Sequence, residues 1–291
     1  MLELIINMTV NGMFYAGILF IMSAGLQIIF GVLGIINFAH ASAYMLGLYF
    51  TYALVKSLPS FQPLVWFIPL LAALIVGIIG LFFERILLRL IYNRDHVFQM
   101  LFTFGAVLMA DDVVRYVWGG YPISIPPIVS KMIEIKGVIF QPLYTLIVIF
   151  IAILLAVLLW ILFKKTDIGR VVRATSHDEE MTEALGISVS WVRAGTFFFG
   201  SAIAGLGGGV MLPITGAWPG VGLEYLILCF VVIAIAGLGS VFGALVSSLL
   251  IGMVNSIGIQ FFPKFELAII FLLMAVILSI RPTGLFGTSR N

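Results

Sequence analysis

Apolar residues come in long runs along this chain, and polar residues are gathered into the short stretches between them. The runs cover about Met8–Ile36, Ala41–Val55, Leu64–Phe83, Val97–Trp118, Leu143–Phe163, Ala194–Ile214, Tyr225–Ile257 and Leu267–Ile280. A helix rises ~1.5 Å per residue and a bilayer's hydrocarbon core is ~30 Å thick, so about 18 or more apolar residues read as a membrane span. At least six of the runs reach that length. Strands of a membrane β-barrel alternate apolar and polar residues with period two. Leu143–Phe163 and Leu267–Ile280 show no such alternation, so the spans are helices. The pattern predicts an all-α, polytopic integral membrane protein. It is one domain over residues 1–291 with about eight hydrophobic segments, some broken or re-entrant.

Two interruptions stand out. Tyr225–Ile257 is too short for two full spans and too long for one, and it is broken by Gly237-Leu238-Gly239-Ser240. The N-terminal third is broken by Gly31, Gly34 and the run Asn37-Phe38-Ala39-His40. It reads as two crossings or as a crossing plus a half-helix. Irregular backbone at membrane depth is tolerated only under cover of protein or a water-filled cavity, and paired interruptions point to a transporter.

Hydrophobic residues make up 62% of the chain and charged ones 10%, against roughly a quarter in soluble domains. The placement of charge says more than the net +2, which gives no reason to invoke nucleic acid. Ten of the 15 Lys and Arg fall in Glu84–His96, Lys164–Arg193 and the tail from Arg281 to Arg290. Basic residues stay on the cytoplasmic side, which puts these segments inside and the Lys131/Lys136 loop outside. Tyr225–Ile257 must then start and finish outside, as two shorter arms that turn near the glycines. The single cysteine, Cys229, excludes an intrachain disulfide and any cysteine-rich metal site. Glu3 precedes an apolar stretch of full span length with no basic n-region, so the first helix is expected to stay.

In Lys164–Arg193, Glu179, Glu180 and Glu183 fall at helical spacing with Met181, Ala184 and Leu185, and Gly186 offers a helix end. Such a short amphipathic helix either docks in a partner's groove or simply connects two spans at the interface.

Four motifs occur in order: Asn37-Phe38-Ala39-His40 with Tyr44-Met45-Leu46-Gly47; Gly169-Arg170 to Arg173-Ala174 followed by Glu183-Ala184-Leu185-Gly186-Ile187; Gly237-Leu238-Gly239-Ser240; and Arg281-Pro282-Thr283-Gly284-Leu285-Phe286-Gly287. Together they resemble the LivH-type permeases of high-affinity branched-chain amino acid ABC importers, over nearly the whole chain. The resemblance implies a bacterial inner-membrane permease paired with a second permease, either LivM-like or another copy. It implies two ABC ATPase subunits and an extracytoplasmic binding protein. In that family the Glu-Ala-Leu-Gly segment is similar to the helix that fits a cleft on the ATPase. The coupling residues implied are Gly169, Arg170, Arg173, Glu179, Glu180, Glu183, Ala184, Leu185, Gly186 and Ile187. No cofactor is expected in this chain. Gly205–Gly209 lies in an apolar span without the lysine of a phosphate-binding loop, so ATP and Mg belong to the partner ATPases. Close helix packing is the ordinary explanation of those glycines.

Polar residues at membrane depth are costly and therefore candidates for function. Asn37 and His40 come first, where freed backbone groups and a helix terminus could meet a solute carboxylate. Phe38, Ala39, Leu238 and Gly239 join them if both breaks open on one cavity. The alternative is that His40 caps the break or faces the cytoplasmic interface. Asp111, Asp112 and Arg115 are spaced for a local ion pair. Glu224 and Glu266 begin apolar runs and suit helix N-termini, while Asn255 and Gln260 are weaker candidates. His40, His96 and His177 are isolated and form no HExxH, which argues against an intramembrane enzyme. A secondary transporter or channel also fits broken helices, but it would have no use for a docking helix.

Overall fold

The computed structural model describes residues 2–58, 66–126, 131–134 and 140–287. Lys136 and Arg290, used above in the charge argument, lie outside the described residues.

The helices are α1 (Leu2–Leu33), α2 (His40–Ser57), α3 (Ile68–Ile86), α4 (His96–Trp118), α5 (Leu143–Lys165), α6 (Asp167–His177), α7 (Glu179–Ala184), α8 (Val189–Thr215), α9 (Val221–Ala236), α10 (Val241–Phe261) and α11 (Glu266–Ile280). Among the described residues seven helices are long and apolar enough to cross a membrane: α1, α3, α4, α5, α8, α10 and α11 with its preceding turn. An antiparallel pair of short strands, β1 (Met132–Glu134) and β2 (Phe140–Pro142), precedes α5. No sequence feature foretold it.

Close approach of small residues builds the centre. Gly47 of α2 lies on the backbone of Gly205 in α8, and Gly208 of α8 lies on the Tyr44 carbonyl, so a Cβ at either would overlap main chain. Gly12 and Gly252 bring α1 against α10 in the same way. Lipid gives helices no hydrophobic reason to associate, so packing of this kind holds them together. The Gly205–Gly209 run therefore has the packing role expected of it.

One end of the bundle collects Arg85, Arg89, Arg94, Lys164, Lys165, Arg170, Arg173, Arg193 and Arg281. The opposite end joins its loops through Ile123 and Ala217, whose amides and carbonyls bond reciprocally at 2.8 and 2.7 Å. The positive-inside rule assigns the basic pole to the cytoplasm. The α9–α10 element does turn at Gly237–Ser240 with both far ends at the opposite pole. It is longer than its apolar run suggested, because α9 begins at Val221 and α10 continues to Phe261. Only α9 is a short arm; α10, with 21 residues, is long enough to cross.

Candidate functional site

At the first break, α1 stops at Leu33 and Gly34 takes a left-handed φ of +67°. The chain then doubles back along α1. The His40 Nε2 meets the carbonyl of Met22 at 2.9 Å, eleven residues before the helix end, or ~16 Å of rise back into the bundle. α2 starts there, so the N-terminal third is a full crossing followed by a helix that begins at depth. The freed backbone groups are met within the chain. Asn37 Oδ1 accepts from the Ala39 amide at 3.0 Å, and Thr103 Oγ1 accepts from the Phe38 amide at 3.2 Å. Asn37 and His40 are fully buried. Phe38 packs its ring edgewise on Phe104 and Phe230.

The second break is held by a residue that the sequence reading passed over. Gln27, buried in α1, donates from Nε2 to the Gly237 carbonyl at 2.9 Å and accepts at Oε1 from the Gly239 amide at 2.6 Å. Gly237 and Gly239 adopt φ of +89° and +79°, which only glycine adopts without strain. Ser240 Oγ caps α10 by accepting from the Gly243 amide at 3.0 Å. The C-terminal tail finishes α9, with the amides of Leu285 and Phe286 donating to the carbonyls of Ile235 and Ala236 at 2.8 and 2.9 Å. Leu238 and Gly239 are exposed at the basic pole. An amide side chain deep in a 32-residue apolar helix, well past Asn7 and Asn11 near its start, was the available signal for Gln27, because such a group is costly in lipid unless bonded.

Among the described residues the two breaks meet different sides of α1. His40 meets α1 on the side of Met22 and Gly25, whereas the glycine break meets it at Gln27 and Gly31. Met22 and Gln27 are five residues apart, about 140° around the helix at 3.6 residues per turn. The body of α1 thus stands between the breaks. Asn37 and His40 also direct polar atoms to backbone rather than to an open space, although His40 Nδ1 is left without a partner.

The basic pole carries the third group of candidates. Thr166 caps α6 by accepting from the Gly169 amide at 3.2 Å, and Gly169 is buried against the backbone of Leu162 and Phe163. Asp178 caps α7 at the Met181 amide, 2.9 Å, and Gly186 turns the chain with φ of +82°. Glu180, Met181, Glu183, Ala184, Leu185 and Gly186 all face outward, with Leu185 72% and Met181 60% exposed. Ile187 is half-buried. Glu179 points the other way: its carboxylate pairs with Arg193 at the start of α8. The Arg193 guanidinium lies 4.7 Å over the Tyr92 ring, and the Tyr92 hydroxyl donates to the buried Glu84 at the end of α3. Burial first, and then that bond to Glu84, hold the Tyr92 hydroxyl well above its usual range, so it stays a donor. Arg85 adds a bond to Ser190 Oγ at 3.0 Å and stacks 3.9 Å over Trp191. Glu179 is thus an anchor rather than part of the outward face. Arg170 pairs with Asp167 on the surface of α6, and Arg173 is exposed.

The remaining acidic candidates are structural. Asp111 is buried and accepts from the Gly220 amide at 3.3 Å, steadying the start of α9; no ion pair with Arg115 forms among the described residues. Glu224 accepts from Trp218 Nε1 at 3.3 Å. Glu266, the first residue of α11, accepts from the buried Asn255 at 2.7 Å and joins α10 to α11. Gln260 is exposed, and Cys229 is buried in the core. Among the described residues no cluster of His, Cys, Asp and Glu could hold a metal.

Residues 8–278 match the family model described as branched-chain amino acid transport system / permease component. The high-affinity branched-chain amino acid transport system permease protein BraD of Pseudomonas aeruginosa is 26% identical, covering 96% of this chain and 94% of that protein. The permease protein LivH of Escherichia coli strain K12 is 26% identical, at 95% and 94%. The probable branched-chain amino acid transport permease protein LivH of Methanocaldococcus jannaschii is 24% identical, at 94% and 90%. A match of this extent, on a helical membrane fold with an outward-facing helix at its basic pole, makes the chain a member of the branched-chain amino acid transport permease family.

Proposed function

We propose that this permease forms one transmembrane half of an ABC importer of a bacterial inner membrane, taking up branched-chain amino acids or closely related small solutes. The observation that carries the coupling is the α7 surface. Met181 and Leu185 stand out from the subunit beside Glu180 and Glu183, while Glu179 and Arg193 fasten the helix from behind. A helix that served only as a connection would not need both an apolar face turned out and a rigid mount; a helix seated in an ATPase cleft needs each. ATP and Mg would bind on two such ATPase subunits, with no cofactor resident in this chain and no catalysis by it. A second permease, LivM-like or another copy, would complete the solute path, which we assign to the interface between the two halves. At the opposite pole an extracytoplasmic binding protein would deliver the solute near Gly119–Pro142 and Trp218–Glu224.

The test is uptake of labelled leucine by right-side-out or reconstituted vesicles that hold the chain with its ATPase and permease partners and carry ATP inside. Uptake should require ATP and binding protein. Equal uptake without ATP would replace this reading with a secondary transporter or channel.

A further inference from the structure

A groove of about 520 Å³ opens on the membrane-facing side of the basic pole, between α1, α5, α6 and the start of α10. Its walls are apolar, with Val157, Trp160, Val241, Phe242 and Leu245 prominent. α5 forms one of these walls, and it exposes Phe150, Ile153, Leu154, Val157 and Leu158 along its length, the surface of a helix that faces lipid. At the basic end the lining changes to Lys164 and Arg173. Both are exposed, and neither is paired with a carboxylate among the described residues. A neighbouring apolar groove of about 320 Å³, on the other side of α6, has Asp167 as its only charged lining residue, so charge singles out the first.

We propose that this groove is a binding site for an anionic phospholipid of the cytoplasmic leaflet. An acyl chain would lie between α5 and α10, and the phosphate would meet Lys164 and Arg173. The apolar length of the groove and its cationic end match the two parts of one lipid. Cationic pockets between spans on the cytoplasmic side suit acidic headgroups for this reason. A free phosphate would leave the apolar walls unexplained, and a zwitterionic lipid would leave the two cations unanswered. The occupied groove touches Gly239 and Ser240 at the second break and Ser176 on α6, so the lipid would brace the elements that connect α7 to the spans.

The test is native mass spectrometry of the full chain in detergent titrated with palmitoyl-oleoyl phosphatidylglycerol or the matching phosphatidylcholine. The wild type should retain one phosphatidylglycerol in preference to phosphatidylcholine. Two near-surface cations supply a factor of about thirtyfold, which K164Q/R173Q should lose. R89Q/R94Q, which removes two charges elsewhere on the same pole, should keep the preference. Val157→Trp, which fills the groove but leaves both cations, should also release the lipid. The proposal is overturned if the wild type shows no preference, if K164Q/R173Q retains the lipid, or if R89Q/R94Q loses it equally. It is overturned too if Val157→Trp binds as the wild type does, or if it abolishes a dimer of this chain rather than a lipid adduct.

Discussion

Replacing Gln27 with leucine tests whether one side chain holds the α9–α10 turn in place. The change keeps the volume and removes both bonds, at 2.9 Å to the Gly237 carbonyl and 2.6 Å from the Gly239 amide. Their costs differ. Gly237 is buried, so its carbonyl is left unsatisfied at ~1–3 kcal/mol, whereas the exposed Gly239 amide can turn to water and forfeits only ~1 kcal/mol. The sum is ~2–4 kcal/mol, or on the order of 5–10 °C in the unfolding midpoint. A freed turn would also loosen the join between α1 and α10. The assay pairs thermal unfolding in detergent with ATP-driven leucine uptake, each normalised to chain abundance. Gln27→Leu should lower the midpoint by that amount and reduce uptake severalfold, while Gln27→Glu, which would set a buried carboxylate against the Gly237 carbonyl, should lower it at least as far. A leucine variant with both midpoint and uptake unchanged would refute the staple.

The double substitution Glu183→Arg with Leu185→Asp should leave the chain in the membrane but abolish ATPase capture and uptake; ordinary uptake would end the docking assignment of α7. Arg193→Ala removes a partly exposed ion pair and the contact over the Tyr92 ring, together ~1–2 kcal/mol, so stability should fall only modestly while uptake per ATP hydrolysed drops severalfold. With Cys229 changed to Ser, His177→Cys should react with an impermeant maleimide only from the cytoplasmic face and Tyr121→Cys only from the other; the reverse would invert the sidedness assigned above. Gly208→Ala should lower abundance and stability by ~1–3 kcal/mol because its Cβ meets the Tyr44 carbonyl, whereas Gly105→Ala, with open space around it, should be neutral or better; equal behaviour of the two would argue against backbone-on-backbone packing of α2 and α8.

The number of apolar segments, the helical class and the basic pole were legible because each follows from local composition. The turn at Gly237–Ser240 was legible too, since glycine spacing and the charge argument pointed to the same place. What the sequence could not disclose was which face of α1 each break would meet. Gly25 and Gly31 look alike in a string of apolar residues, and only the partners, Gly200 of α8 for one and Gly239 of the α9–α10 turn for the other, tell them apart. The orientation of Glu179 was hidden for a related reason: three glutamates share a short helix, and the position of Arg193 decides which one turns inward. Gln27 was visible as a costly amide in an apolar run but was not read as such. The β1–β2 hairpin is too short, at three residues a strand, to leave a periodic trace.

The tail contacts at α9 bear on biogenesis. Ribosomes deliver the chain from its N-terminus, so α9 enters the bilayer well before residues 285 and 286 exist. Until they arrive, the carbonyls of Ile235 and Ala236 lack the amides that later satisfy them. A nascent permease therefore passes through an interval in which its spans are inserted but the inner end of α9 is open. Any quality-control machinery that senses unpaired backbone in lipid has that interval in which to act. Chains cut short after α11 would lack these two amides permanently, and the inner end of α9 would stay uncapped.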